Sequence, residues 1–183
     1  KQWQGGPIVD GKTVETDHHV SITSPQETAK QAGRIYWGDK KLSEKALQSA
    51  NAAYKSWRDV PTEERAQCLE KFADLMEANR NELIALCSVE AGKGLQDGID
   101  EVREAVDFCR YYANQARELM GKPIQLPGPT GEDNELFVEG RGTFICISPW
   151  NFPLAIFVGQ VAAALVTGNS VIAKPAEQTG LIA

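Results

Sequence analysis

Thr143-Phe144-Ile145-Cys146-Ile147, then Ser148-Pro149-Trp150-Asn151-Phe152-Pro153, then an apolar stretch to Val166, and last Gly168-Asn169-Ser170-Val171-Ile172-Ala173-Lys174-Pro175-Ala176-Glu177 set the fold of this chain. The first five residues form a continuous apolar run, and residues 153–166 have the length and apolarity of a buried helix. Gly168-Asn169 marks a turn, and Val171-Ile172-Ala173 is a second short apolar run. The order is strand, helix, strand, in about the thirty residues that one such unit occupies. Two continuously apolar strands joined by a crossover helix predict a parallel pair buried on both faces, with the usual right-handed connection. The fold class is therefore α/β.

In open parallel sheets, ligands bind beyond the carboxyl ends of the strands, and each strand here is followed by a polar, proline-containing cluster. Ser148-Pro149-Trp150-Asn151-Phe152-Pro153 follows the first and Lys174-Pro175-Ala176-Glu177 the second, so both fall on one edge. The prolines flanking Trp150-Asn151-Phe152 fix the local backbone. Asn151 can cap the following helix or aim its amide outward as a donor to an oxyanion, a contact worth roughly 3 kcal/mol in a transition state. Lys174 and Glu177 are the only charged residues from Asn151 to Ala183. They can form a surface ion pair, or hold a sugar, with Glu177 accepting from ribose hydroxyls and Lys174 donating to them.

Working outward, Leu47, Ala50, Tyr54 and Trp57 predict an amphipathic helix over Leu42–Trp57 that stops before Pro61. Thr62 can cap the next helix, with Glu63 and Glu64 in its first turn and Leu69, Phe72 and Met76 on its apolar stripe. A third helix is expected from Asn81 to about Ala91. A fourth carries Ile99, Val102, Val106, Cys109, Ala113, Ala116 and Met120 at alternating spacings of three and four, and ends at Gly121. The resulting divisions are a strand-and-turn lead-in (1–41), a helical region (42–122), a projecting arm or linker (123–142) and a βαβ unit (143–183). The arm holds the Pro-Gly-rich 126–131 and the alternating Glu135-Leu136-Phe137-Val138-Glu139, which reads either as a subunit contact or as a surface hairpin.

Composition excludes several function classes. Hydrophobic residues at 42% and charged residues at 24% lie in the globular range. The net charge of -6 has the wrong sign for neutralising nucleic-acid phosphates. The apolar stretch around Phe152–Val166 is interrupted by Gln160 and falls short of the roughly 20 residues of a membrane helix. No nucleic-acid or membrane binding is expected of this segment. Cys68, Cys87, Cys109 and Cys146 form no CxxC pair, and the only histidines, His18 and His19, are adjacent, so no metal site is expected. Three of the cysteines fall on apolar helical faces and the fourth in an apolar strand, which suggests a reducing, cytoplasmic setting. Gly140-Arg141-Gly142 and Gly92-Lys93-Gly94 both lack the spacing of a nucleotide-phosphate loop.

The two C-terminal motifs together resemble those of the aldehyde dehydrogenase superfamily. Glu90-Ala91-Gly92-Lys93 is similar to that family's Glu-Thr-Gly-Lys turn, and the resemblance extends from about Ser21 onward. Residues Asp100 to Ala113 further resemble the branch that oxidises L-glutamate gamma-semialdehyde, the open form of 1-pyrroline-5-carboxylate, in proline degradation. In many bacteria that domain belongs to a bifunctional proline utilization A protein. The resemblance implies the helix-rich N-terminal part of a Rossmann-type domain with a partial parallel sheet and a projecting β arm. It gives Asn151 the oxyanion role, Lys174 and Glu177 the adenosine ribose contacts, and Ile147, Ser148, Pro149 and Trp150 the backbone lining near the cofactor. It implies NAD, favoured over NADP by the Glu177 carboxylate, a small-molecule aldehyde substrate and a homo-oligomeric intact protein. FAD enters only if a proline dehydrogenase domain precedes this segment.

The family's nucleophilic cysteine and water-activating glutamate follow the Lys-Pro-Ala-Glu turn by many tens of residues, whereas this chain ends six residues after Glu177. The expectation is a fragment that lacks both, with none of its four cysteines in the nucleophile motif. The alternatives are a generic or succinate-semialdehyde dehydrogenase fragment, and a noncatalytic helical interaction module.

Overall fold

The computed structural model describes residues 2–183. Its lead-in folds as β1 (Trp3–Gly5), β2 (Ile8–Val9), β3 (Lys12–Thr13), β4 (His19–Ser24) and β5 (Glu27–Tyr36). β5 lies at the centre of a three-stranded sheet, parallel to β1 and antiparallel to β4, while β2 and β3 form a small hairpin.

Four helices follow: α1 (Lys40–Arg58), α2 (Thr62–Ala78), α3 (Arg80–Ala91) and α4 (Leu95–Met120). Asp39 caps α1 by accepting the Leu42 N–H at 2.7 Å. α4 packs against both α2 and α3, and their core joins Leu69, Ala73, Met76, Leu86, Val102 and Val106. On α2 the expected cap and the expected place of Phe72 both fail. Its N-cap is Pro61, and the Thr62 hydroxyl donates instead to the Met120 carbonyl at 3.2 Å, tying α2 to the end of α4. Phe72 is exposed, because Leu69, Ala73 and Met76 turn the buried stripe away from it.

β6 (Ile124–Leu126) and β7 (Asn134–Leu136) make an antiparallel hairpin, which leaves Phe137 and Val138 beyond the strand and exposed. The strand, helix and strand expected at the C-terminal end are β8 (Thr143–Ile147), α5 (Ala155–Val166) and β9 (Ser170–Lys174), with β8 and β9 parallel and Ile147 opposite Lys174. Burial on both faces does not hold within this chain. Cys146 is buried, but Phe144, Ile145 and Ile147 are 44%, 63% and 62% exposed. α1 and α5 both contact the ribbon, yet two strands paired only with each other leave an uncovered outer surface. Among the described residues no helix is long and apolar enough to cross a membrane.

Candidate functional site

β8 and β9 run side by side, and the Ser148 N–H donates to the Lys174 carbonyl at 3.2 Å just past their paired residues. Ile147, Ser148 and Lys174 therefore meet at the carboxyl edge of the ribbon, with Pro149 and Trp150 leaving it on one side and Glu177 beginning a 3-10 turn, Glu177–Thr179, on the other. Trp150, Asn151, Lys174 and Glu177 are exposed, and Pro149 is half-buried.

Asn151 does not cap α5. The N-cap residue is Leu154, and the Asn151 side chain bonds to no other described residue. The cap comes from a distant carboxylate. Glu101, 2% exposed on α4, accepts the Leu154 N–H at 3.1 Å and the Ala155 N–H at 2.9 Å with one oxygen. Lys93 Nζ stands 2.8 Å from its other oxygen and 4.7 Å from the centre of the Phe152 ring. Lys93 reaches there because Gly92 closes α3 in the left-handed region, at φ 69°, where a side chain would be strained. Glu90 in the same turn accepts the Leu181 and Ile182 N–H groups at 2.8 and 2.7 Å. Burial pushes the Glu90 pKa up to about 7, against the opposing pull of these two donors. The Glu90-Ala91-Gly92-Lys93 turn thus supports both chain segments that leave the ligand edge.

Lys174 and Glu177 form no ion pair with each other among the described residues. The Lys174 ammonium instead donates to the Pro175 carbonyl at 3.0 Å. The Ser148 hydroxyl is buried and has no partner among the described residues. An edge bearing an ammonium, an uncommitted carboxylate, an unpartnered hydroxyl and an outward amide fits a polyhydroxylated ligand.

Burial disfavours a thiolate at three of the four cysteines. Burial pushes the Cys87 thiol up to about 12, with the Glu101 charge adding to the effect, and pushes Cys109 up to about 11. Cys146 is raised by burial as well. Cys68 is exposed, contrary to its expected place on an apolar face, since the core-facing positions around it are Arg65, Ala66, Leu69 and Ala73. No cluster of three metal-ligating side chains occurs among the described residues.

Sequence reading missed Glu90, Lys93 and Glu101 as supports of this edge. The signal for Glu101 was a carboxylate at a core position, three after Gly98 and four before Ala105 on the buried face of α4.

One family model matches a stretch of the chain that includes this ribbon and its edge. The aldehyde dehydrogenase family covers residues 12–183, and the chain belongs to it. More particularly, the chain is 42% identical over 186 residues to the bifunctional protein PutA of Salmonella typhimurium, covering 100% of this chain and 13% of the relative. It is 41% identical over 177 residues to 1-pyrroline-5-carboxylate dehydrogenase 1 of Halalkalibacterium halodurans, covering 96% of this chain and 34% of the relative. The crystal structure of 1-pyrroline-5-carboxylate dehydrogenase from Thermus with bound NAD superposes with a TM-score of 0.93 at 36% identity, over 99% of this chain and 35% of that one. The chain thus spans between about an eighth and a third of the length of these relatives.

Proposed function

We propose that this chain is part of an NAD-dependent aldehyde dehydrogenase that oxidises L-glutamate gamma-semialdehyde to L-glutamate in proline degradation. The observation that carries the reading is the carboxyl edge of the β8–β9 ribbon, where the Asn151 amide is free while the helix beside it is capped by Glu101. Likeness to the proline-pathway relatives supports the choice of aldehyde.

Asn151 donates to the carbonyl oxygen of the aldehyde as negative charge develops there. Its catalytic worth comes from being held in place before the reaction starts. Glu177 accepts from the adenosine ribose and Lys174 donates to it, while Ile147, Ser148, Pro149 and Trp150 line the adjoining wall. The Glu177 carboxylate repels a 2'-phosphate, which favours NAD over NADP. NAD, when bound, supplies the hydride acceptor. The nucleophilic thiolate and the water-activating carboxylate are assigned to parts of the protein outside these residues. The β6–β7 hairpin, with Ile124, Leu126, Leu136, Phe137 and Val138 exposed, serves as a subunit contact in a homo-oligomer. FAD joins the cofactors only if a proline dehydrogenase domain lies ahead of Lys1. A cytoplasmic location follows the same reading.

The test is NADH formation by the full-length protein with L-glutamate gamma-semialdehyde and, in parallel, simple aliphatic aldehydes. A strong preference for the semialdehyde is expected, together with a kcat lowered about 10²-fold or more in Asn151→Ala. Activity confined to other aldehydes would remove the proline-pathway assignment.

A further inference from the structure

Among the described residues the Asn151 side chain has no bond of its own to fix its direction, so whatever holds it must act through its neighbours. Pro153 is fully buried, and the residues on either side of it are gripped from the turn between α3 and α4 and from α4 itself. Lys93 lies over the Phe152 ring at 4.7 Å, and Glu101 takes the Leu154 and Ala155 N–H groups at 3.1 and 2.9 Å. The two grips are one unit, since Lys93 Nζ is 2.8 Å from Glu101 Oε1. That approach lies off the direction of a hydrogen bond, so the ammonium acts there as a charge that balances a buried carboxylate whose other oxygen is already bonded to two backbone N–H groups. The helix end adds its own positive potential to the same carboxylate.

We propose that Lys93 and Glu101 are positioning residues whose buried pair clamps Phe152 and Leu154 and thereby fixes where the Asn151 amide is presented. The inference rests on the oxyanion reading of Asn151 for its catalytic consequence, but not for the clamp itself. Neither side chain touches the reacting atoms. Both act through residues one to four positions beyond Asn151. Removing the ammonium leaves Glu101 a buried, unbalanced charge, which must draw in water or another cation and so releases the Phe152 side of the loop. Because displacement of a catalytic group by about 1 Å costs on the order of 10²-fold in rate, kcat falls while NAD binding at the Lys174–Glu177 side is spared.

The experiment uses the full-length protein and the variants Lys93→Met, Lys93→Arg, Phe152→Leu, Asn151→Ala and the double variant Lys93→Met/Asn151→Ala. Two readouts are needed: steady-state kinetics and amide hydrogen exchange resolved over residues 148–156. Lys93→Met is expected to lower kcat between about 10- and 100-fold, to raise the KM for NAD far less than that through the Ser148–Trp150 wall, and to speed exchange selectively over 148–156. Lys93→Arg should restore most of both. Phe152→Leu, which leaves the ion pair intact and alters a partly exposed ring, should give a smaller loss in the same direction if Lys93→Met does not fold. In the Asn151→Ala background, Lys93→Met should cost little more, because the group it positions is already gone. Unchanged exchange over 148–156 would overturn the clamp, and losses that multiply in the double variant would overturn its action through Asn151. Should Asn151→Ala keep full activity, the oxyanion reading falls, and the exchange measurement alone still decides the clamp.

Discussion

Glu90 shows how much a single buried carboxylate can reveal at this edge. Each of its oxygens accepts one backbone N–H, from Leu181 and from Ile182, and it makes both bonds from a site that burial renders costly for a charge. The outcome is a carboxyl pushed up to about 7 from an ordinary value of 4.5. A group whose folded value exceeds its unfolded one contributes stability that is fully present below about 4.5 and is lost as pH rises through about 7. Glu90→Gln removes this dependence. It also sets an amide NH₂ against one of the two donors, so the variant is less stable than wild type at acid pH. Urea unfolding of the two proteins from pH 4.5 to pH 8 should therefore show the gap between them narrowing by up to about 3 kcal/mol. A gap that stays constant or widens would mean that the carboxylate is better satisfied than its burial implies.

At the scale of elements, α5 is the piece that most needs outside help. It carries no charged residue, so both of its ends are completed by other helices. Glu101 of α4 meets its N-terminus across 53 positions of sequence, and Arg65 of α2 meets its last residue across 101, donating through Nε to the Val166 carbonyl at 2.9 Å. The same guanidinium donates to the Arg58 carbonyl at 3.1 Å and to the Val60 carbonyl. Negative charge at the positive end and positive charge at the negative end match the helix dipole. Arg65→Met keeps much of the stem's packing but strands these carbonyls, and is expected to cost about 3 kcal/mol in urea unfolding. A loss below about 0.5 kcal/mol would show that water reaches them, because unpaired buried acceptors cannot be that cheap. These caps also mark the limit of what the sequence disclosed. The spacings of three and four located α1 to α4, and the strand-helix-strand order of 143–174 was readable because apolar runs, turn residues and helix lengths are local signals. Thr62 looked like a cap by the same local logic, and capping was one of two readings open for Asn151, yet Pro61 and a distant Glu101 hold those places. α4 also begins at Leu95, one turn before the stripe at Ile99 shows itself, because its first turn faces solvent. Partners more than fifty positions apart leave no mark in a local pattern beyond a charge on an apolar face.

At the scale of the whole molecule, the ribbon is the part whose strand face stands uncovered. Phe144, Ile145 and Ile147 on β8 lie open beside Trp150 and Phe152, while the helical core under α4 is closed. A two-stranded ribbon has two unpaired edges and too little buried area to hold itself, so its order here is borrowed from α1 and α5. The prediction for the 183-residue chain on its own follows from that contrast. Circular dichroism should show the helices intact, since they carry their own core. Sedimentation and binding of an apolar dye should show self-association through the exposed strand face, at a hydrophobic gain of roughly 25 cal/mol per Å² covered. Aldehyde-dependent NADH formation should be absent, because burial pushes the Cys87, Cys109 and Cys146 thiols up and, among the described residues, no cysteine bonds to the Asn151 amide. NADH formation by the isolated chain would show that a nucleophile exists within it and would overturn the assignment of that group to another part of the protein. A monodisperse, dye-free chain would show instead that the strand face closes on itself, in a conformation other than the parallel register of Thr143 with Ser170 and Ile147 with Lys174.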